Sequence, residues 1–190
     1  YESEWVTATQ PQGADFSALW ATFAIYSALR RRGIDVDIVS PEAPLDGYRM
    51  VVVPCLPIVP EAFAERLARF EGPIVLGPRS GSRTGDFAIP ADLPPGPLRR
   101  LFEAKIVRSQ SLRPGLASPC EGGGLVEKWL DEAKPAEGIE AEIETADGVA
   151  AVYRQSRVRY LACWPEAELA DRVIAAAAAD AGMPSSSLPE

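Results

Sequence analysis

Along this chain the apolar positions fall into two rhythms, one helical and one extended. Phe16, Leu19, Trp20, Phe23, Tyr26 and Leu29 recur at three- and four-residue spacing. That period predicts a helix that Asp15 or Ser17 can cap and Gly33 can stop. Val36, Ile38 and Val39 then predict a short strand, ended by Pro41 and a turn over Pro44 to Gly47. Met50 to Val53 is a continuous apolar run, the signature of a strand covered on both faces. Pro60 opens a second helix with Phe63, Leu67 and Phe70 on one face, and Pro73 to Gly77 follow as another strand. Strand, helix and strand at this spacing predict a right-handed parallel crossover.

From Arg79 to Pro97 the periodicity disappears and proline and glycine punctuate the chain. A loop of that length inside a compact fold is usually functional or packed on a partner. A short helix near Leu98–Phe102 and a strand near Lys105–Arg108 come next. The second half reads as short strands at Leu125–Leu130, Ile139–Thr145, Val149–Tyr153 and Val158–Cys163, joined by turns such as Asp147-Gly148. Glu166 to Ala181 forms a closing helix with Leu169, Val173, Ile174 and Ala177 turned inward. The pattern predicts an α/β fold: a three-layer core with a mainly parallel central sheet, then a β-rich second half. Residues 1–183 read as one domain, and Pro184 to Glu190 as linker chemistry. With no initiator Met before Tyr1, both ends read as cuts in a longer polypeptide.

Composition narrows the function. The 190 residues carry a formal net charge of −8, with a pI near 4.7. That charge argues against a sequence-independent nucleic-acid binder, which needs basic surface to displace counterions. No run approaches the roughly 18 apolar residues that a membrane span requires. There are three cysteines, Cys55, Cys120 and Cys163, and no histidine. Without a CxxC pair or a His, a zinc site is not expected, and the thiols read as free or buried groups of a reducing compartment. No cofactor is expected.

The strongest candidate chemistry sits at Pro73 to Gly85, where a buried strand runs into a loop rich in Gly, Ser and Arg. In open α/β sheets, ligands and catalytic groups gather at the carboxyl ends of strands. Laid on the pattern G-x-x-x-x-G-K-[ST], Gly77 and Thr84 fit, but Ser82 and Arg83 replace the second Gly and the Lys, which removes the phosphate cradle. Gly122-Gly123-Gly124 fails the dinucleotide pattern because no strand leads into it at the right spacing. Cys55 follows a strand where a nucleophile can sit, yet no His exists to activate it. Glu2 and Glu4, and the alternating Glu140, Glu142 and Glu144, do not form an acid and nucleophile pair across a sugar. Trp20 and Phe23 are expected in the core rather than as a sugar platform.

Several strings together carry a family likeness. These are Tyr1-Glu2-Ser3-Glu4-Trp5, Gln10-Pro11-Gln12-Gly13, Tyr26 to Val39, Leu45 to Pro54 and Pro73 to Gly85 with its Arg79-Ser80-Gly81 turn. In this order and spacing they resemble the middle domain of glycoside hydrolase family 42 β-galactosidases. The resemblance implies a trimerisation domain with a flavodoxin-like fold similar to class I glutamine amidotransferases. It implies a cytoplasmic parent enzyme that hydrolyses terminal β-D-galactosides. Its two catalytic glutamates would lie in a (β/α)₈ barrel, which needs about 250 residues and cannot lie within this chain. The family's domain opens with a strand just before the Tyr-Glu-Ser segment, so that first strand is expected either to be missing here or to be replaced by residues 5–9.

Three readings stay open. The leading one is a non-catalytic assembly module whose partners are further copies of itself and the barrel of the same polypeptide, with neither nucleic acid nor membrane. The interface or ligand loop would then carry Arg79, Ser80, Arg83 and Phe87. A second is a free-standing amidotransferase-like enzyme using Cys55. A third is a small-molecule site at Arg79 and Arg83.

Overall fold

The computed structural model describes residues 2–9, 13 and 15–183. The expected Gln10–Gln12 loop and the linker from Pro184 onward lie outside the described residues. The described elements run α1 (Glu2–Thr9), α2 (Ala18–Arg31), β1 (Val51–Val53), α3 (Glu61–Arg69), β2 (Ile74–Leu76), a 3₁₀ turn (Gly96–Arg100), β3 (Ala104–Ser111), β4 (Ala117–Pro119), β5 (Leu125–Pro135), β6 (Glu140–Glu144), β7 (Ala150–Gln155), β8 (Val158–Leu161), β9 (Cys163–Pro165) and α4 (Ala167–Asp180).

Two sheets organise the chain. The first has the order β1-β2-β8-β7-β6, and the second has β3-β5-β4 with β9 also on β5. β1 pairs parallel to β2 in the register Val51 with Ile74, and β2 pairs parallel to β8. The expected β1-α3-β2 crossover is therefore present. β8 and β7, and β7 and β6, are antiparallel, so the sheet is mixed rather than mainly parallel. The cause is local: β7 and β8 are joined by a tight turn at Ser156, whose φ is 53°, and a turn that short can join only antiparallel neighbours.

Alternation along β2 assigns its two faces. Ile74 and Leu76 pack with Phe63 and Leu67 of α3 and with Leu98 and Phe102. Val75 packs with Ile25 and Leu29 of α2 and Leu169, Val173 and Ile174 of α4. A third cluster joins Phe16, Ala18 and Ala21 to Cys55, Trp129 and Trp164, where α2 meets the second sheet.

Two strands weighed from the sequence are not formed. Residues 5–9 are helical, as part of α1, and supply no strand. The Thr7 and Thr9 hydroxyls donate back to the carbonyls of Glu4 and Trp5, which fits the turn to helical spacing. Val36 to Val39 is not a strand either. Ile38 is 77% exposed, and these residues line a groove of about 720 Å³ together with β1. An extended segment with no hydrogen-bonded neighbour has only its side-chain pattern to recommend it, and pattern alone does not make a sheet.

An ion-pair knot ties β8 to β6 and α4. Arg159, only 2% exposed, donates from Nε to Glu142 at 2.8 Å and from Nη1 to Asp180 at 2.7 Å.

Candidate functional site

The turn that ends β2 is shaped by close backbone approaches. The Gly77 N–H donates to the Val53 carbonyl at 2.7 Å. A Cβ on Gly77 would fall 1.7 Å from the Pro54 carbonyl oxygen, so only glycine lets the two strand ends meet. Two residues later Arg79 adopts a left-handed backbone, with φ of 62°. A non-glycine residue held there at a strand end is a feature that functional sites collect. The turn is pinned from both sides. The Leu56 N–H donates to Ser80 Oγ at 3.1 Å, Gly81 N–H to the Leu56 carbonyl at 2.9 Å, and Arg83 N–H to the Pro57 carbonyl at 2.9 Å.

The Arg79 side chain is thereby driven inward and is 3% exposed. Its guanidinium lies 5.3 Å from the ring centre of Phe16 and 5.5 Å from that of Trp129, within cation–π range of both. Burial lowers its pKa, and the charge of Arg83 adds to that; guanidinium nevertheless remains protonated at neutral pH. Arg79, Ser82, Arg83, Arg108, Asp131 and Tyr160 share the wall of a cavity of about 280 Å³. Asp131 accepts from Ser109 Oγ at 2.6 Å and from Tyr160 OH at 3.0 Å. Burial raises its carboxyl to about 6, and the hydrogen bonds and Arg79 pull the other way.

The sequence-predicted loop residues divide accordingly. Arg79 and Arg83 meet at the cavity, while Ser80 is fully buried and buttresses the β1 end. Phe87, at φ 61°, packs edge-on against Trp5 of α1 with ring centres 5.4 Å apart. Residues 79–82 are thus interior, and the loop's exposed stretch centres on 85–89.

Cys55 belongs to the cluster with Phe16 and Trp164 and is 6% exposed. Burial pushes its thiol up to about 12, so almost no thiolate exists at neutral pH. Cys120 and Cys163 are buried as well.

The expectation for Trp20 and Phe23 is overturned. Trp20 is 61% exposed, Phe23 53% and Leu19 64%. α2 instead buries Ala18, Ala21, Ile25, Ala28 and Leu29. The helical period was sound, but two candidate faces share it, and the small-residue face allows closer approach to α4 and the sheet. The larger side chains are left as an apolar stripe at positions 19, 20 and 23, with Trp20 and Phe23 edge-on at 5.6 Å. α1 is anchored beside this stripe by Glu4, whose carboxylate accepts from Ser17 Oγ at 2.9 Å and from the Leu19 N–H. That capping role was invisible in the sequence, where Glu4 read as a solvated acid.

Among the described residues no helix is long and apolar enough to cross a membrane. The family model described as "Beta-galactosidase trimerisation domain" matches residues 1–184. The chain is 47% identical over 196 residues to a β-galactosidase of Thermus thermophilus, covering all of this chain and 30% of that protein. Among solved structures, the β-galactosidase of the psychrophilic Marinomonas ef1 superposes on the whole chain with a TM-score of 0.95 at 28% identity, over 29% of its own length. The enzyme of the Antarctic haloarchaeon Halorubrum lacusprofundi gives 0.90 at 32% identity, again over the whole chain and 30% of its own. The chain thus spans less than a third of the length of each of these three relatives, and it belongs to the trimerisation-domain family of glycoside hydrolase family 42 β-galactosidases.

Proposed function

We propose that this chain assembles the subunits of a cytoplasmic β-galactosidase, three to a particle, and contributes no catalytic group. Hydrolysis of terminal β-D-galactosides would belong to a barrel outside residues 1–190. The observation that carries this reading is the apolar stripe of Leu19, Trp20 and Phe23, more than half exposed, in a chain whose family is defined by trimerisation. Monomeric proteins seldom leave aromatic side chains together in solvent, whereas aromatic anchors dominate association energies. The exposed part of the 85–93 loop, with Phe87 locked onto Trp5, is the second contact we assign. The flavodoxin-like description of the fold is consistent with helices on both faces of the β1-β2-β8 region.

The test is the double variant Trp20→Glu/Phe23→Glu in the full-length polypeptide. Buried aromatic anchors contribute about 2–4 kcal/mol each, so the subunit affinity should fall by at least about 30-fold. Sedimentation across a dilution series should then show smaller species at concentrations where the parent stays assembled. An unchanged distribution would refute the stripe as the contact.

The amidotransferase-like reading needs a reactive thiol. With Cys55 buried and its thiol at about 12, a thiol reagent should label it only after denaturation. Labelling of native protein within seconds, measured by intact mass, would revive that reading.

A further inference from the structure

Eight buried side-chain polar atoms among the described residues lack a hydrogen-bond partner, and four of them belong to residues lining one cavity. The other four are the Nε atoms of Arg32, Arg66, Arg99 and Arg157. Each of those guanidinium groups is engaged through a terminal nitrogen, on Asp171, or on the carbonyls of Pro41, Asp92 and Ala68. At Arg79 the situation is reversed. Both terminal nitrogens, Nη1 and Nη2, are unmet, and they form the end of the guanidinium fork. Ser82 Oγ is unmet on the same cavity. The Trp129 indole N–H, the fourth atom, leans toward Asp131 without reaching hydrogen-bond geometry.

We propose that the Arg79 cavity is a carboxylate-binding site, in which Nη1 and Nη2 take the two carboxylate oxygens and Ser82 Oγ supplies a third donor. A guanidinium fork matches a carboxylate in two parallel hydrogen bonds, and native proteins rarely bury such donors without an acceptor. Arg83 and Arg108 add positive charge to the wall. Asp131 faces the same space and opposes a second negative charge, which selects a monoanion over phosphate or sulfate. At about 280 Å³ the cavity fits an acid of a few carbons. The backbone geometry supports this use: Arg79 is held at φ 62° by the turn that Gly77, Ser80 and Gly81 secure, so its fork is positioned before any ligand arrives.

The carboxylate has two possible sources: a free small acid, or an Asp or Glu side chain from polypeptide beyond residues 1–190 or from another copy. The inference does not depend on the assembly reading, and its test separates the two. The full-length protein is titrated with sodium acetate, with sodium chloride and inorganic phosphate at matched ionic strength as controls. A free-acid site gives a saturable rise in Tm with acetate alone. It weakens about tenfold or more in Arg79→Lys, which keeps the charge and loses the fork. A site filled by the protein itself gives no acetate response. An experimental structure of the full-length protein then places a carboxylate oxygen within about 3.2 Å of Nη1 or Nη2. Absence of both an acetate response and a carboxylate at the fork overturns the proposal. Both decisive arms use unmutated protein, so a variant that fails to fold leaves the test intact.

Discussion

The closest contact that positions the candidate site is testable by one methyl group. In Gly77→Ala the new Cβ would lie 1.7 Å from the Pro54 carbonyl oxygen and 2.5 Å from its carbon, where real Cβ contacts stop near 3.0 Å. The clash is with backbone, so no side chain can swing away, and β2 must retreat from β1. That retreat gives up the Gly77 to Val53 hydrogen bond of 2.7 Å and loosens Leu76 and Val53, both buried. Overpacking costs about 1–3 kcal/mol and the bond about 1 kcal/mol more. A local loss of roughly 2–4 kcal/mol should speed opening of this region about 30- to 10³-fold. Gly85→Ala is the control, since its Cβ meets no atom within 4 Å and its φ carries no penalty. It should stay within about 0.5 kcal/mol. Hydrogen exchange of the Val51–Val53 and Ile74–Leu76 amides in the full-length protein reads both variants. Equal exchange in the two would refute the close-approach argument.

Two further perturbations test the interior. Arg159→Met removes the buried one of the two cations that Glu142 and Asp180 share, and leaves the more exposed Arg154 in place. Because those acids are 23% and 33% exposed, water can reach them, and the loss should be about 2–3 kcal/mol rather than the 3–5 of a fully buried pair. Chemical denaturation should register it, and a loss under about 0.5 kcal/mol would show the knot to be decorative. For Asp131, burial raises the native carboxyl from 3.8 to about 6, so the native state holds its proton over a range in which the unfolded chain has lost it. Its contribution therefore favours the fold below about pH 4 and is lost as pH rises through about 6, a change on the order of 3 kcal/mol. Asp131→Asn should gain stability relative to the parent across that window. Parallel pH profiles for the two proteins would contradict the buried-carboxyl argument.

The elements legible in the sequence are those whose pattern admits one burial solution. α3 has a single apolar face of Phe63, Ala64 and Leu67, and β2 is apolar throughout, so the β1-α3-β2 crossover follows from spacing. Where a pattern admits two solutions, the sequence misleads. α2 offers both a bulky stripe and an alanine stripe, and its partners α4 and the sheet select the alanines, leaving Trp20 and Phe23 in solvent. Val36 to Val39 alternates as a strand does, but pairing depends on a neighbour, and among the described residues β1 pairs with β2 and not with this segment. The site was half legible. The Gly-Pro-Arg-Ser-Gly string marks a strand-end turn, and Arg79 and Arg83 do converge there. Asp131, Trp129 and Tyr160 reach the same cavity from strands 50 to 80 residues later. No local spacing encodes that convergence, which arises where β5 of the second sheet and β8 of the first meet the end of β2.

The claim on which the rest depends is that this chain joins subunits. It is tested most directly by the mass of the full-length, unmutated protein in solution, measured by sedimentation velocity over a wide concentration range. The account predicts a species of three times the polypeptide mass that persists on dilution. A monomer at every concentration would contradict it.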